Sequence, residues 1–134
     1  MATLFATAQD NISWSLKHDK KELLKANKED PEKNVIVVKL TDFKNKSNFI
    51  ISCSETNKQN SRKKWVRTIA IFTEHDTELF RKDTGYIKIA DMQLKKMLQE
   101  NNIVKIYTWA TPADPAEAAR VRIRRVHLCT LEHR

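Results

Sequence analysis

Apolar residues in this chain recur mostly at every second position, the spacing of strands that bury one face. Residues 3–7 (TLFAT) and 12–16 (ISWSL) are short runs of this kind, the second placing Ile12, Trp14 and Leu16 on one side. A hairpin turning at Gln9-Asp10-Asn11 would join them. Residues 35–43 (VIVVKLTDF) and 49–54 (FIISCS) flank the polar KNKSN and read as a second hairpin. Residues 65–73 (WVRTIAIFT) form a long strand, residues 74–77 its turn and residues 78–82 the returning strand. After a turn at Asp83-Thr84-Gly85, a short strand follows over 86–89.

Three stretches break the two-residue period. Over 18–30, Asp19 followed three residues later by Glu22 resembles a capping box, Leu23 and Leu24 give a narrow apolar edge, and Asp30-Pro31 stops the chain. This predicts a short surface helix. Residues 91–102 predict a better one, capped by Asp91, with Leu94, Met97 and Leu98 as its stripe. Asp114, Pro115 and Glu117 specify a helical turn that ends near Ala119.

That turn sits between the two most telling runs. From Ile103 to Trp109, Lys105, Tyr107 and Trp109 share one face and Val104 and Ile106 the other. In the next run Val121 and Ile123 oppose Arg120, Arg122 and Arg124, but Val126 and Leu128 take the opposite parity. A β-bulge at Arg124-Arg125 would restore one apolar face, because one extra residue moves everything downstream to the other side. Seven to nine short strands at roughly ten-residue spacing, with two short helices and a helical turn, imply a mostly-β antiparallel sandwich or barrel-like domain. A single antiparallel sheet with helices on one face is the α+β alternative. No repeat or linker divides the 134 residues, so one domain over 1–134 is expected.

Composition narrows the chemistry. One glycine excludes glycine-rich phosphate loops, dinucleotide fingerprints and nucleophile elbows, whose close backbone approach needs residues without a Cβ. The start has no secretory leader pattern and no run approaches membrane-spanning length, so membrane insertion is not expected. Two cysteines, Cys53 and Cys129, then point to reduced thiols and a cytoplasmic location. The net charge of +8 favours acidic partners.

The charge and aromatics suggest a binding face made of Lys105, Tyr107, Trp109, Arg120, Arg122, Arg124 and Arg125, with Trp65 and Arg67 joining if register allows. The polar, basic, aperiodic stretch 56–64, including Arg62, Lys63 and Lys64, reads as a loop that adds to it. The lysines over 18–30 read as solubility charges. The leading expectation is a non-enzymatic interaction domain contacting an acidic protein. Nucleic-acid binding through the same face is the alternative, with arginines on phosphates and Tyr107 and Trp109 stacking on bases. Metal is not expected: His127 and Cys129, two apart and so on one side of a strand, could be joined by His133 and Cys53, but no close-spaced ligand pair announces a site. An enzyme using Cys129 with a histidine is the third possibility, and it needs a low-pKa thiol. No cofactor is implied, and the sequence leaves oligomeric state open.

Overall fold

The computed structural model describes residues 12–55 and 65–134. The run at 3–7 and the loop carrying Arg62, Lys63 and Lys64 lie outside the described residues. The chain forms β1 (Ile12–His18), β2 (Lys21–Ala26), β3 (Val35–Val38), β4 (Asn48–Glu55), β5 (Trp65–Thr73), β6 (Glu78–Lys82), β7 (Tyr86–Ala90), α1 (Asp91–Asn101), β8 (Ile103–Pro112), α2 (Pro115–Ala118) and β9 (Val126–His133). The fold is mostly β. Among the described residues, one sheet has four strands in the order β2-β1-β4-β7 and the other five in the order β3-β9-β8-β5-β6. Neither closes into a barrel, so the sandwich is the form adopted.

Alternation puts the core between the sheets. Ile12, Trp14, Leu16, Phe49, Ile51, Ile87 and Ile89 from the four-stranded sheet meet Ile69, Ile71, Val104, Ile106 and Leu131 from the other. The helix α1, which carries the chain from one sheet to the other, adds Leu94, Met97 and Leu98. Trp14 bridges the layers directly, its Nε1–H donating to the Leu128 carbonyl at 3.0 Å.

The helix expected over 18–30 is instead a β-hairpin. Asp19 takes φ 55 in the two-residue turn between β1 and β2, a conformation that aspartate tolerates, and its carboxylate accepts the Asn48 N–H at 3.0 Å. The Asp19/Glu22 pair that resembles a capping box is therefore turn chemistry, and Leu24 turns inward opposite Leu16. The expected hairpin of 35–43 with 49–54 does not form either. The strand β3 pairs in parallel with β9, while β4 joins the other sheet after a 3-10 turn at Leu40–Asp42. Polar turn residues mark a reversal without naming the sheet that receives the next strand.

Asp91 does not cap α1. It is wholly buried, and its Oδ2 meets His18 Nε2 at 2.7 Å and accepts the Lys44 N–H at 2.8 Å. The helical turn is as expected, with Asp114 accepting from the Ala116 N–H at 3.0 Å. The arginine run is not a strand, since β9 begins only at Val126. A bulge does occur, but not at Arg124-Arg125. Ile106 pairs with Cys129 and Tyr107 with His127, which leaves Leu128 as the extra residue.

Candidate interaction face

The outer side of the five-stranded sheet gathers aromatic rings and arginines. Val104, Ile106 and Thr108 of β8 turn into the sandwich, so Lys105, Tyr107 and Trp109 turn out, as their parity predicts. The register with β5 places Phe72 beside Lys105, Ala70 beside Tyr107 and Thr68 beside Trp109. Phe72 meets Tyr107 edge-on at 5.7 Å between centroids and Trp109 at 6.4 Å.

Two guanidinium groups lie over these rings. Arg81 of β6 is opposite Ala70, whose small side chain leaves room, and stands 5.1 Å from the Trp109 ring. Arg125, in the last position before β9, stands 4.4 Å from Tyr107 and 4.8 Å from Phe72. Each is also ion-paired, Arg125 to Asp76 at 2.9 Å and Arg81 to Glu78 at 2.8 Å. Both pairs are exposed.

His127 sits beside Tyr107, with ring centroids 5.6 Å apart. It is only 5% exposed; its Nε2 lies 2.8 Å from Thr130 Oγ1 and its backbone N–H donates to Glu29 at 2.7 Å. Burial pushes its pKa below the ordinary imidazole value, with Lys105 adding to the shift and Glu29 opposing it. Lys105, Tyr107, His127, Thr130, Glu74 and Glu132 line an open cleft of about 500 Å3 at this end of the face.

The face expected from sequence is thus only partly assembled. Lys105, Tyr107, Trp109 and Arg125 come together. Arg124 ion-pairs with Glu29 instead, and Arg120 and Arg122 are exposed in the segment between α2 and β9. Trp65 and Arg67 are on the opposite side, because Trp65 pairs with Pro112 and Arg67 with Ala110, both of the inward parity. Arg67 reaches Glu55 at 2.9 Å and Thr108 at 3.1 Å from there. Phe72, Arg81 and Asp76 are the members that sequence reasoning missed; cross-strand register reveals the first two, and the ion pair with Arg125 the third.

The bulge also separates His127 from Cys129. With Leu128 inserted between the paired positions, His127 faces out beside Tyr107 while Cys129 faces the core beside Ile106. Burial pushes the Cys129 thiol up to about 12 and the Cys53 thiol up to about 11, the opposite of an activated nucleophile. Among the described residues, no group of three or more histidine, cysteine, aspartate or glutamate side chains is placed to hold a metal ion. No described helix is long and apolar enough to cross a membrane. No protein-family model, curated protein or solved structure matches this chain.

Proposed function

We propose that the outer face of the five-stranded sheet is a docking surface for an acidic protein segment, in a non-enzymatic, cytoplasmic interaction domain. The observation that supports this is the packing of Arg81 and Arg125 onto Trp109, Tyr107 and Phe72. Tryptophan, tyrosine and arginine are the residues that dominate protein-protein binding energies. Exposed ion pairs such as Arg81–Glu78 and Arg125–Asp76 are worth only about 0–1 kcal/mol, so a partner's carboxylates can replace Glu78 and Asp76 at small cost. Such a segment fits best over Arg81 and Trp109, which lie outside the cleft that Glu74 and Glu132 line.

Base stacking on this face is disfavoured by the same geometry. The guanidinium groups already lie over the Trp109 and Tyr107 rings, and a base would have to displace them. The test is an array of acidic peptides read by fluorescence anisotropy. Micromolar binders are expected, and Trp109→Ala or the double variant Arg81→Glu/Arg125→Glu should weaken them at least roughly thirtyfold, the effect of losing a hot-spot side chain of about 2 kcal/mol or more. Peptides that bind equally well to both variants, or an array with no binder, would refute the assignment.

A further inference from the structure

The other sheet presents a different chemistry, and one of its lysines, Lys25, is among those that read as solubility charges in the sequence. Along β1, Ile12, Trp14 and Leu16 point inward, so Ser13, Ser15 and Lys17 point out. Cross-strand register then builds two rows. Lys25, Ser15, Ser52 and Tyr86 stand opposite one another across β2, β1, β4 and β7, and Glu22, Lys17, Ile50 and Lys88 form the next row. Lys17, Lys25 and Lys88 are exposed and make no ion pair among the described residues. Two carboxylates are nearby: Glu22 opposite Lys17, and Asp19, which is engaged by the Asn48 N–H. Lys20 stands at the rim beside Asp19. An open cleft of about 350 Å3 runs over Ser15, Lys17, Asp19, Lys20, Ile50, Ser52 and Tyr86, with Asp19 its one carboxylate. The Tyr86 residue is 54% exposed, and no aromatic contact involving it is found among the described residues.

We infer that this outer face of the four-stranded sheet binds single-stranded nucleic acid. The inference goes beyond the acidic-protein reading and concerns the opposite side of the sandwich. Lysine, serine and tyrosine side chains are donors used on phosphates and sugars, whereas lysine and serine are depleted where proteins meet proteins. Lys17 and Lys88 are two strands apart, so their Cα atoms are roughly 10 Å apart. Their flexible heads reach neighbouring phosphates of one strand, and the serine hydroxyls lie between them. The uncovered Tyr86 ring at the edge strand offers a stacking platform for a base. Only an unpaired base can use it, which selects single strands over duplexes. Ile50 alone supplies apolar surface to the centre of the rows, too little for insertion into a lipid bilayer.

The experiment is fluorescence anisotropy with labelled mixed-sequence oligonucleotides of about twelve nucleotides, at about 50 and about 150 mM salt, using the full chain. Micromolar binding that persists at the higher salt is expected. Lys17→Gln/Lys25→Gln/Lys88→Gln should reduce the slope of log affinity against log salt by about 2, from three lysines at about 0.7 each on a single strand. Tyr86→Ala should weaken binding roughly five- to 150-fold without changing that slope, and Tyr86→Phe should retain it. All four side chains are exposed, so these variants keep the core intact. The inference is overturned if no oligonucleotide binds at the higher salt, or if affinity falls only in Arg81→Glu/Arg125→Glu. Duplexes bound as tightly as single strands, with Tyr86→Ala inert, would overturn it too, as would binding to phosphatidylserine vesicles in place of oligonucleotides.

Discussion

Replacing Trp14 with phenylalanine tests what holds the two sheets in register around the bulge. Trp14 is 3% exposed, and its indole N–H crosses the sandwich to the carbonyl of Leu128, the residue of β9 with no partner in β8. Trp14→Phe keeps an aromatic ring in the core but leaves that buried carbonyl without its donor, at about 1–3 kcal/mol. The lost part of the indole costs about 1–2 kcal/mol more in transfer and cavity terms. The sum is about 2–5 kcal/mol, a large share of the roughly 5–15 kcal/mol that a domain has in total. Urea titration followed by far-ultraviolet circular dichroism measures it without relying on the altered fluorophore. Trp65→Phe is the control: Trp65 is 38% exposed at the start of β5, and the change should stay within about 0.5 kcal/mol. Equal costs at the two positions, or a Trp14 cost within about 0.5 kcal/mol, would refute the bridging role.

Two further predictions concern titratable groups. The folded pKa of His127 lies below its unfolded value, so as pH falls the unfolded chain takes up the proton first; its contribution to stability is complete above about 6.5 and declines as pH drops toward the lowered folded value. His127→Gln should therefore flatten the loss of stability between about pH 7 and pH 5, and an unchanged slope would contradict the burial argument. Both thiols should alkylate far more slowly in the native than in the urea-unfolded protein near pH 8, with half-buried Cys53 reacting before Cys129. A native thiol that reacts rapidly at pH 7 would return the Cys129 nucleophile to consideration.

The strands were legible where inward and outward residues alternate strictly. Val104, Ile106 and Thr108 alternate with Lys105, Tyr107 and Trp109 so regularly that the outward set follows from periodicity alone. The stretch 18–30 was not legible, because a cap and a tight turn use the same residues. Asp19 accepts a backbone N–H in either setting, and only the later strand that supplies Asn48 decides between them. The pairing of β3 with β9 was hidden for a related reason. A parallel partner some ninety positions away leaves no trace in local pattern.

The binding faces depend on register more than on composition. Arginine density drew attention to 120–125, yet of Arg120, Arg122, Arg124 and Arg125 only Arg125 reaches the aromatic rings, while Arg81 arrives from a strand with no such cluster. The phase change between Ile123 and Val126 required no bulge, because the strand begins only at Val126, and the bulge at Leu128 has a separate origin. Residues 121–125 never enter the sheet, so their alternation places no constraint on its faces. The insertion at Leu128 falls within an unbroken run of buried residues, where apolar parity carries no signal. That single residue fixes His127 outside and Cys129 inside, and with them the difference between a shared histidine-cysteine site and two groups on opposite sides of a sheet.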